Sequence, residues 1–517
     1  MTDPHHTFAQ LEPQFKYWEK LKDCVDATLD FTLNLRQSGH PGGSHAKVHI
    51  LIATLLSGVL RWDIRHPEKR FSDRFVLIAG HTAPLVYATL ACLSEVLKYR
   101  YKITNNEKYH IHEHRQVLAA DLLTLRHSRG LSGHAEYCGK TMFFKFNTGP
   151  TGHGTPAALG QAMALKLAGA GDIRVFGLEG EGGHTAGGNH EAKNTAWGLG
   201  ADNFYFLLDW NDYGIDPHPT SSIVHGTPDD WFKPYGWRVA GTEQGMTWAT
   251  VTTVLLDLVH GPNPDGVPNC GWFKTKKGRG YGLCDAASHG TMHPMNSEAF
   301  WASQRAFQDK YGVRFAGDGE GPCPNACAQT EQTYANLRMI MEVMTSDDEF
   351  TRVISDRLVE LGDMVPAHHD NIYFNLKKNP LNDPALCDYE KYPAAMWAKP
   401  GDRQPNRAAL GVWGAWVNAY CAKHYGRPLF IASSADLVES TNIAGFAKRF
   451  GDFLGYGYYN RKTNQRGALL PMGITEFSNA GVAAGLASVN FSEDGTREYN
   501  GFLAATSTYS AFVYLHY

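Results

Sequence analysis

The chain has 517 residues, of which 43% are hydrophobic and 19% charged, and its formal net charge is -4 at pH 7. This composition is typical of a globular protein of two or three domains, and it excludes a strongly basic nucleic-acid binder. The sequence has neither an apolar run long enough to span a membrane nor a signal-peptide pattern, and its nine cysteines are scattered. We therefore expect a cytoplasmic protein with reduced thiols and no membrane partner.

Strand and helix patterns alternate along residues 20–310. Apolar runs such as RFVLIAG, IRVFGLEG and NFYFLLDW are separated by helical stretches such as PAALGQAMALKLAGA. This order predicts an α/β fold with doubly wound parallel sheets, helices on both faces and a ligand cleft at the strand ends. A helix from Pro294 to Tyr311, with Asn296 as its N-cap, is predicted to close this region.

The rest of the chain is predicted to continue less regularly. We expect helical material near 328–377, a proline-rich connector, and a second α/β region beginning near Arg407 with PLFIASSADL as a strand. The predicted parts are therefore a domain at 1–315, a linker with a helical segment at 316–400 and a second, incomplete domain at 401–517. The apolar run SAFVYLHY is expected to be a strand that needs partners.

An acid and an amide follow two neighbouring predicted strands within VFGLEGEGGHTAGGNHEAKNTAWGLGADNFYFLLDWNDYGID. Parallel strands bring their carboxyl ends together, so Glu181, the Asn211 side chain and the carbonyl of Tyr213 are candidate ligands for Mg²⁺. Gly180 and Gly182 would let the backbone approach a diphosphate at the following helix N-terminus. The alternative is an ordinary strand-helix-strand unit whose glycines only form a tight turn.

This motif resembles the metal motif of the transketolase family, thiamine diphosphate enzymes in which G-D-G is followed one strand later by N. Here Glu181 replaces the aspartate, which leaves open whether Mg²⁺, Ca²⁺ or Mn²⁺ is held. The resemblance covers almost the whole chain, because further motifs follow in family order. These motifs are SGHPGG, AGHTAPLVYA, LSGHAEY, NTGPTGHG, ASHGTMHP, SSADL, GITEFSNAG and GFLAATSTYSAF.

The resemblance implies roles for a set of histidines. His40, His134 and His289 would act in catalysis and substrate binding, and His81 and His289 would lie beside the cofactor. Imidazoles suit a cleft that exchanges protons with sugar hydroxyls near neutral pH. For any single histidine the alternative is a packed or solvent-facing ring. His153 stands where the family usually has glutamine, and its role stays open.

Further cofactor contacts are implied by the same resemblance. Gly149, Pro150 and Thr151 would lie along the diphosphate. Glu476 would be the catalytic carboxylate that pairs with the aminopyrimidine, and Tyr509 and Phe512 would surround that ring.

The implied activity is transfer of a two-carbon ketol unit between a ketose phosphate and an aldose phosphate through a thiamine diphosphate carbanion. Arg407 and Ser434 would contact the phosphate of the sugar-phosphate substrate. A 2-oxoacid decarboxylase of the dehydrogenase first-component type is the nearest alternative, because it shares the cofactor site. A non-catalytic scaffold subunit is a second alternative.

The family also implies an oligomer. Its cofactor lies between two protomers, so we expect Glu181 and Glu476 to meet across an interface of at least a dimer. Transketolases continue past the aromatic segment at which this sequence ends. We therefore expect a second polypeptide that supplies the remaining domains, or else a fragment.

Other patterns are weaker. His110, His112 and His114 alternate like ligands on a strand but lack a further ligand at a fixed offset, which does not favour zinc. Cys323 and Cys327 lack the spacing of a redox pair. The basic run KTKKGRG at 274–280 is interpreted as a loop near an anionic substrate or cofactor.

Overall fold

In a computed structural model, the described residues are 4–149, 152–320, 323–448, 457–495 and 497–516, and they form two parallel sheets with helices around them. The helices are α1 Pro4–Leu11, α2 Phe15–Arg36, α3 Pro41–Leu56, α4 Ala83–Thr104, α5 Ala119–Leu122, α6 Gly154–Ala168, α7 Glu181–His184, α8 Gly187–Leu199, α9 Pro228–Phe232, α10 Trp248–His260, α11 Glu298–Tyr311, α12 Ala326–Thr345, α13 Asp348–Asp363, α14 Asn406–Tyr425 and α15 Glu476–Ala487. The strands are β1 Arg74–Leu77, β2 Val175–Gly180, β3 Phe204–Trp210, β4 Arg238–Thr242, β5 Asn269–Lys274, β6 Phe430–Ser434, β7 Leu469–Leu470 and β8 Leu503–Ser507.

The larger sheet has the order β1-β2-β3-β5-β4, and all its neighbouring strands are parallel. Its central strand β3 reads FYFLLDW and is buried along nearly its whole length. A strand covered by helices on both faces has to be apolar throughout, which is why the sequence lacks alternation there. The predicted α/β fold and its three quoted strands are confirmed.

The smaller sheet has the order β7-β6-β8, again with parallel pairing. Its middle strand β6 lies within the predicted PLFIASSADL segment. A separate apolar cluster, which includes Val417, Ile443 and Phe446, packs between this sheet and α14. The second α/β region therefore has a core of its own.

Helices α6 and α15 pack against each other so closely that their backbones touch. A Cβ added at Gly160 would lie 2.2 Å from the carbonyl oxygen of Val482, and one added at Gly485 would lie 1.9 Å from that of Ala157. No real side chain tolerates such distances, so both positions require glycine. This contact joins the two α/β regions.

Three local predictions are wrong: a helix N-cap, the end of a helical region and one strand. The N-cap of α11 is Ser297, whose hydroxyl accepts the amide of Phe300, and Asn296 instead adopts φ 54° outside the helix. The helical material predicted to 377 ends at Asp363, and α12 and α13 pack into the first core. The segment Ser510–His516 is an exposed 3₁₀ helix rather than a strand, because no neighbouring strand pairs with it among the described residues.

Three further sequence observations have structural counterparts within the described ranges. No helix there is long and apolar enough to cross a membrane. The rings of His110, His112 and His114 lie near one another, but no group of three or more metal-binding side chains is found in this part of the protein. Every cysteine is free.

Candidate active site

A cavity of about 420 Å³ lies at the carboxyl ends of β1, β2 and β3, where a parallel sheet is expected to bind its ligand. We call it the central cavity. Side chains from six separate stretches of the chain line it, including His40, Lys47, His81, His134, Glu179, Glu181, Asn211, Lys277 and His289.

Glu181 is the first residue of α7 and is 1% exposed. Its Oε2 accepts the backbone amide of Asn211 at 3.1 Å, which brings together the two residues that the sequence pairs across one strand-helix-strand unit. Its Oε1 is buried and has no hydrogen-bond partner among the described residues. Burial and the neighbouring Asp209 raise the pKa of this carboxyl to about 7.

A second buried carboxylate holds the base of the cavity together. Asp209 accepts hydrogen bonds from the Lys47 ammonium at 2.7 Å and from the Asn211 side-chain amide at 2.8 Å. The Thr275 hydroxyl donates to its other oxygen. Glu179 lies beside this group, and burial raises its pKa to about 7. Because Asp209 has a full set of partners, it orients its neighbours rather than serving as an open ligand.

Lys277 lines the cavity next to the loop that follows β3. Its ammonium donates to the Tyr213 carbonyl at 3.0 Å, to the Gly214 carbonyl, and to Nδ1 of His289 at 3.0 Å. Burial and the charge of Lys47 lower the pKa of Lys277 to about 8. No carboxylate pairs with this ammonium in the described structure, so its charge is not neutralised, and an anionic ligand would replace one of its three present acceptors.

Four histidines surround the mouth of the cavity. The ring of His40 lies 4.8 Å from that of His81 and 5.0 Å from that of His289, and His134 lines the same space. Burial lowers the pKa of all four rings, and in each case a nearby positive charge lowers it further. This charge is Arg126 for His40 and His134, Lys47 for His81, and Lys277 for His289. The pKa of His289 falls to about 4. The rings are therefore neutral at pH 7 and can both donate and accept hydrogen bonds.

Backbone contact explains why His40 and His289 meet. His40 is the N-cap residue of α3, and Gly42 lies in its first turn. A Cβ at Gly42 would lie 2.1 Å from Oγ of Ser288, the residue before His289. The amide of Gly278 donates to the Gly42 carbonyl, which fixes the loop that carries Lys277. The small residues of SGHPGG thus allow two loops to touch.

The donor set of the cavity fits a divalent ion that carries a diphosphate. The unpartnered Oε1 of Glu181 is an oxygen ligand without a counter-charge, and Asn211 and Tyr213 line the same cavity, where the Asn211 Oδ1 accepts the Tyr213 amide at 3.1 Å. Gly180 and Gly182 line the same wall, with no backbone atom closer than 3.8 Å to an added Cβ. The Tyr213 carbonyl now accepts from Lys277, so a metal ion there would share that oxygen or displace the ammonium toward the phosphates.

The predicted pyrimidine-side residues lie elsewhere. Glu476 begins α15, is 5% exposed and accepts the Thr508 hydroxyl at 3.2 Å, but it is not part of the lining of the central cavity. Tyr509 and Phe512 are 42% and 41% exposed, with ring centroids 6.4 Å apart. The structure therefore does not bring Glu476 and Glu181 into one cavity within a single chain.

The remaining predicted residues have diverse positions. Arg407 is exposed in the first turn of α14, whereas Ser434 is fully buried and its hydroxyl donates to the Ser507 carbonyl at 2.6 Å. Gly149 lines the central cavity, while Pro150 and Thr151 lie outside the described residues. The ring of His153 packs 4.4 Å from that of Phe477.

Sequence reasoning missed Lys47, Glu179 and Asp209. Lys47 and Asp209 are 162 residues apart, so their ion pair has no local signature. One available signal was the lysine within the otherwise apolar helix α3, since a charged residue there requires a buried partner. The interpretation of KTKKGRG as a loop near an anion site did point toward Lys277.

Comparison with known proteins agrees with this architecture. Residues 27–259 match the family model described as transketolase, thiamine diphosphate binding domain. Transketolase 2 of Vibrio vulnificus is 28% identical over 305 residues, which are 57% of this chain and 42% of that protein. Transketolase 2 of Xanthobacter flavus is 32% identical over 47% of this chain and 33% of its own length. The matched segment thus spans less than half the length of these curated relatives.

Solved structures extend the similarity to the whole fold. The transketolase of Campylobacter jejuni superposes on this chain with a TM-score of 0.63 at 20% sequence identity. The match covers 97% of this chain and 66% of the Campylobacter chain. The transketolase of Leishmania mexicana has a TM-score of 0.63 at 18% sequence identity, and the match covers 96% of this chain and 65% of the Leishmania chain. Residues 27–259 are therefore similar to the thiamine diphosphate binding domain of transketolases, and the chain as a whole has a transketolase-like fold.

Proposed function

We propose that the central cavity binds thiamine diphosphate together with a divalent metal ion, with Mg²⁺ as the first candidate. We further propose that the protein transfers a two-carbon ketol unit from a ketose phosphate to an aldose phosphate. The observation that carries this proposal is the buried, unpartnered Oε1 of Glu181 in the same cavity as the carboxylate-free ammonium of Lys277. A metal ion and a phosphate would satisfy both groups at once.

Each wall of the cavity has a distinct role in this proposal. Glu181, Asn211 and the Tyr213 carbonyl would hold the ion, and Asp209 would keep the Asn211 side chain oriented through its 2.8 Å hydrogen bond. Lys277 would neutralise phosphate charge. Glu181, which has one methylene more than the family aspartate, is the first residue of the short helix α7.

When bound, thiamine diphosphate would supply the carbon nucleophile and electron sink needed to break and form a bond next to a carbonyl. The neutral imidazoles of His40, His134 and His289 would orient substrate hydroxyls and move their protons. Because Lys277 donates to Nδ1 of His289, the His289 proton lies on Nε2 and is free to bond a substrate oxygen.

The second half of the site would come from another copy of the chain. Glu476 is buried but lies outside the lining of the central cavity, and the Tyr509 and Phe512 rings are exposed. Exposed aromatic side chains next to a buried acid suit a face that is covered on assembly. We propose at least a dimer in which these residues complete a partner's cavity, with Glu476 hydrogen-bonded to the aminopyrimidine.

The substrate phosphate would bind on the same side. Arg407 is exposed and forms no ion pair among the described residues, so it is open to a phosphate. The Ser434 hydroxyl is committed to the Ser507 carbonyl, and it would have to rotate away to contribute.

The direct test is an assay of purified protein with thiamine diphosphate, Mg²⁺, a ketose phosphate and an aldose phosphate. Transfer of two carbons to the acceptor supports the proposal. Carbon dioxide release from a 2-oxoacid without ketol transfer would point to the decarboxylase alternative. Failure to bind the cofactor, with every co-purifying polypeptide identified by native mass spectrometry present, would point to a scaffold.

A further inference from the structure

A second large cavity, about 640 Å³ in volume, lies at the amino end of β1. The central cavity lies beyond the carboxyl end of the same strand, so the two are separate. We call the second cavity the Arg74 pocket. Its walls come from the start of β1, from the segment 137–147 and from the loop after α15, and they include Arg74, Tyr137, Lys145, Asn490 and Tyr499.

Arg74 is the most unusual residue in this pocket. It is only 6% exposed, yet its guanidinium forms no hydrogen bond or ion pair within the described part of the chain, and its Nε is buried without a partner. Burial lowers the pKa of this guanidinium to about 10, which expresses the cost of a charge without a counter-ion. Buried arginines are normally paired, so an anion is missing here.

Lys145 supplies a second cation to the same pocket. Its ammonium donates to the carbonyls of Pro67 and Met142 at 2.6 Å and 3.0 Å, and no carboxylate pairs with it in the described structure. Burial and the charge of Arg74 lower the pKa of Lys145 to about 7. Two cations that line one pocket are stabilised together by one anion of double charge.

The other charged residues of the pocket already have partners. Lys69 pairs with Asp63 at 2.7 Å, and Arg70 pairs with Glu493 at 3.3 Å. These pairs leave Arg74 and Lys145 as the cations to be neutralised.

The acids of the pocket also have partners, except for one oxygen. Oε1 of Glu68 accepts from Arg115 at 2.9 Å, whereas its Oε2 is buried without a partner in the described structure, and the charge of Glu68 only partly offsets the lowering of the Lys145 pKa. Glu498 accepts from Asn379 and Asn382 at 2.8 Å each. At the exposed rim, Arg497 lies 3.5 Å from Asp494.

We propose that the Arg74 pocket binds a small organic phosphate ester, with Arg74 and Lys145 as the two cations that hold its phosphate. A phosphate monoester carries close to two negative charges at pH 7, whereas a carboxylate carries one. The guanidinium offers a planar fork that fits phosphate oxygens. The volume of the pocket exceeds what an inorganic ion needs, so the rest of the ester would lie against Tyr137 and Tyr499.

The pocket can be tested without reference to ketol transfer, by calorimetric titration of the full chain with glycerol 3-phosphate, inorganic phosphate and acetate. We expect saturable binding of glycerol 3-phosphate that is at least about tenfold weaker in Arg74→Met and in Lys145→Met, since a charged hydrogen bond is lost in each. Acetate should bind at least about tenfold more weakly than glycerol 3-phosphate.

Two control variants separate this pocket from other anion sites. Lys277→Met removes the phosphate-binding candidate of the central cavity and should leave the affinity for glycerol 3-phosphate unchanged. Arg338→Met, at an exposed arginine paired with Glu342, should also leave it unchanged. Affinities unaltered by both Arg74→Met and Lys145→Met would overturn the proposal, as would equal affinities for acetate and glycerol 3-phosphate. If Lys277→Met weakens the binding of glycerol 3-phosphate instead, the binding belongs to the central cavity and the proposal is overturned.

Discussion

The two α/β regions present their site residues in opposite ways. Around the central cavity, Lys47 and Asp209 form a buried ion pair at 2.7 Å, and the buried Glu181 accepts the Asn211 amide at 3.1 Å. In the second region, Tyr509 and Phe512 are exposed and Glu476 has one long hydrogen bond of 3.2 Å. Under the proposed function, this difference means that the diphosphate half of the site would be organised within one chain, whereas the other half would be organised by assembly.

The largest difference between the two halves of the site is expected for Glu476→Gln, which should lower turnover without lowering cofactor affinity. Because the proposed role of Glu476 is to hydrogen-bond the cofactor ring, the variant should lower kcat for ketol transfer by at least about 100-fold, as for loss of an acid-base group. Calorimetry should find the affinity for thiamine diphosphate nearly unchanged, because the diphosphate is held by the first half of the site. The exposed Glu342→Gln serves as control.

Equal losses of affinity and turnover in Glu476→Gln would mean that the two halves are not separable as described. Full activity in this variant would remove Glu476 from the reaction.

A smaller effect, confined to the first half, is expected from Lys277→Met. Loss of a charged hydrogen bond should weaken thiamine diphosphate binding by about 10-fold to 100-fold. The adjacent Lys276→Met is the matched control, because Lys276 pairs with Asp285 at 2.7 Å instead of lining the cavity. If both substitutions weaken binding equally, general positive charge rather than the position of Lys277 attracts the cofactor.

Arg407→Ala tests the second half at the substrate level. The KM for phosphorylated substrates should rise by about tenfold, while the KM for unphosphorylated analogues should change little, because only the former lose a charged contact. Arg403→Ala, at an exposed position nearby in the sequence, is the control. An equal rise for both substrate classes would contradict phosphate recognition by Arg407.

The smallest effect concerns stability. The pKa of Glu181 is about 7 in the folded protein against 4.5 ordinarily, so its ionisation opposes folding increasingly as the pH rises from 4.5 to 7. In metal-free buffer, Glu181→Gln should therefore have a higher Tm than the natural protein at pH 8, by a few degrees. The two should converge at about pH 4.5. Differential scanning fluorimetry measures this, and a lower Tm for the variant at pH 8 would contradict the assignment.

The sequence predicted those parts of the site that depend on local order. Glu181 and Asn211 follow neighbouring parallel strands, so their proximity could be deduced from one strand-helix-strand unit. The pairing of Lys47 with Asp209 could not, because it depends on how α3 packs against a strand 162 residues away. SAFVYLHY was mistaken for a strand because apolar composition alone does not provide a neighbouring strand.

The proposed function depends most directly on Glu181 as the anchor of a metal-bound diphosphate. Isothermal titration calorimetry of the natural protein, Glu181→Gln and Glu181→Asp with thiamine diphosphate, in Mg²⁺ or in EDTA, tests this claim. We expect Mg²⁺-dependent binding in the natural protein and Glu181→Asp, and affinity at least about 100-fold lower in Glu181→Gln. Equal, metal-independent binding by all three proteins, or no binding by the natural protein, would contradict it.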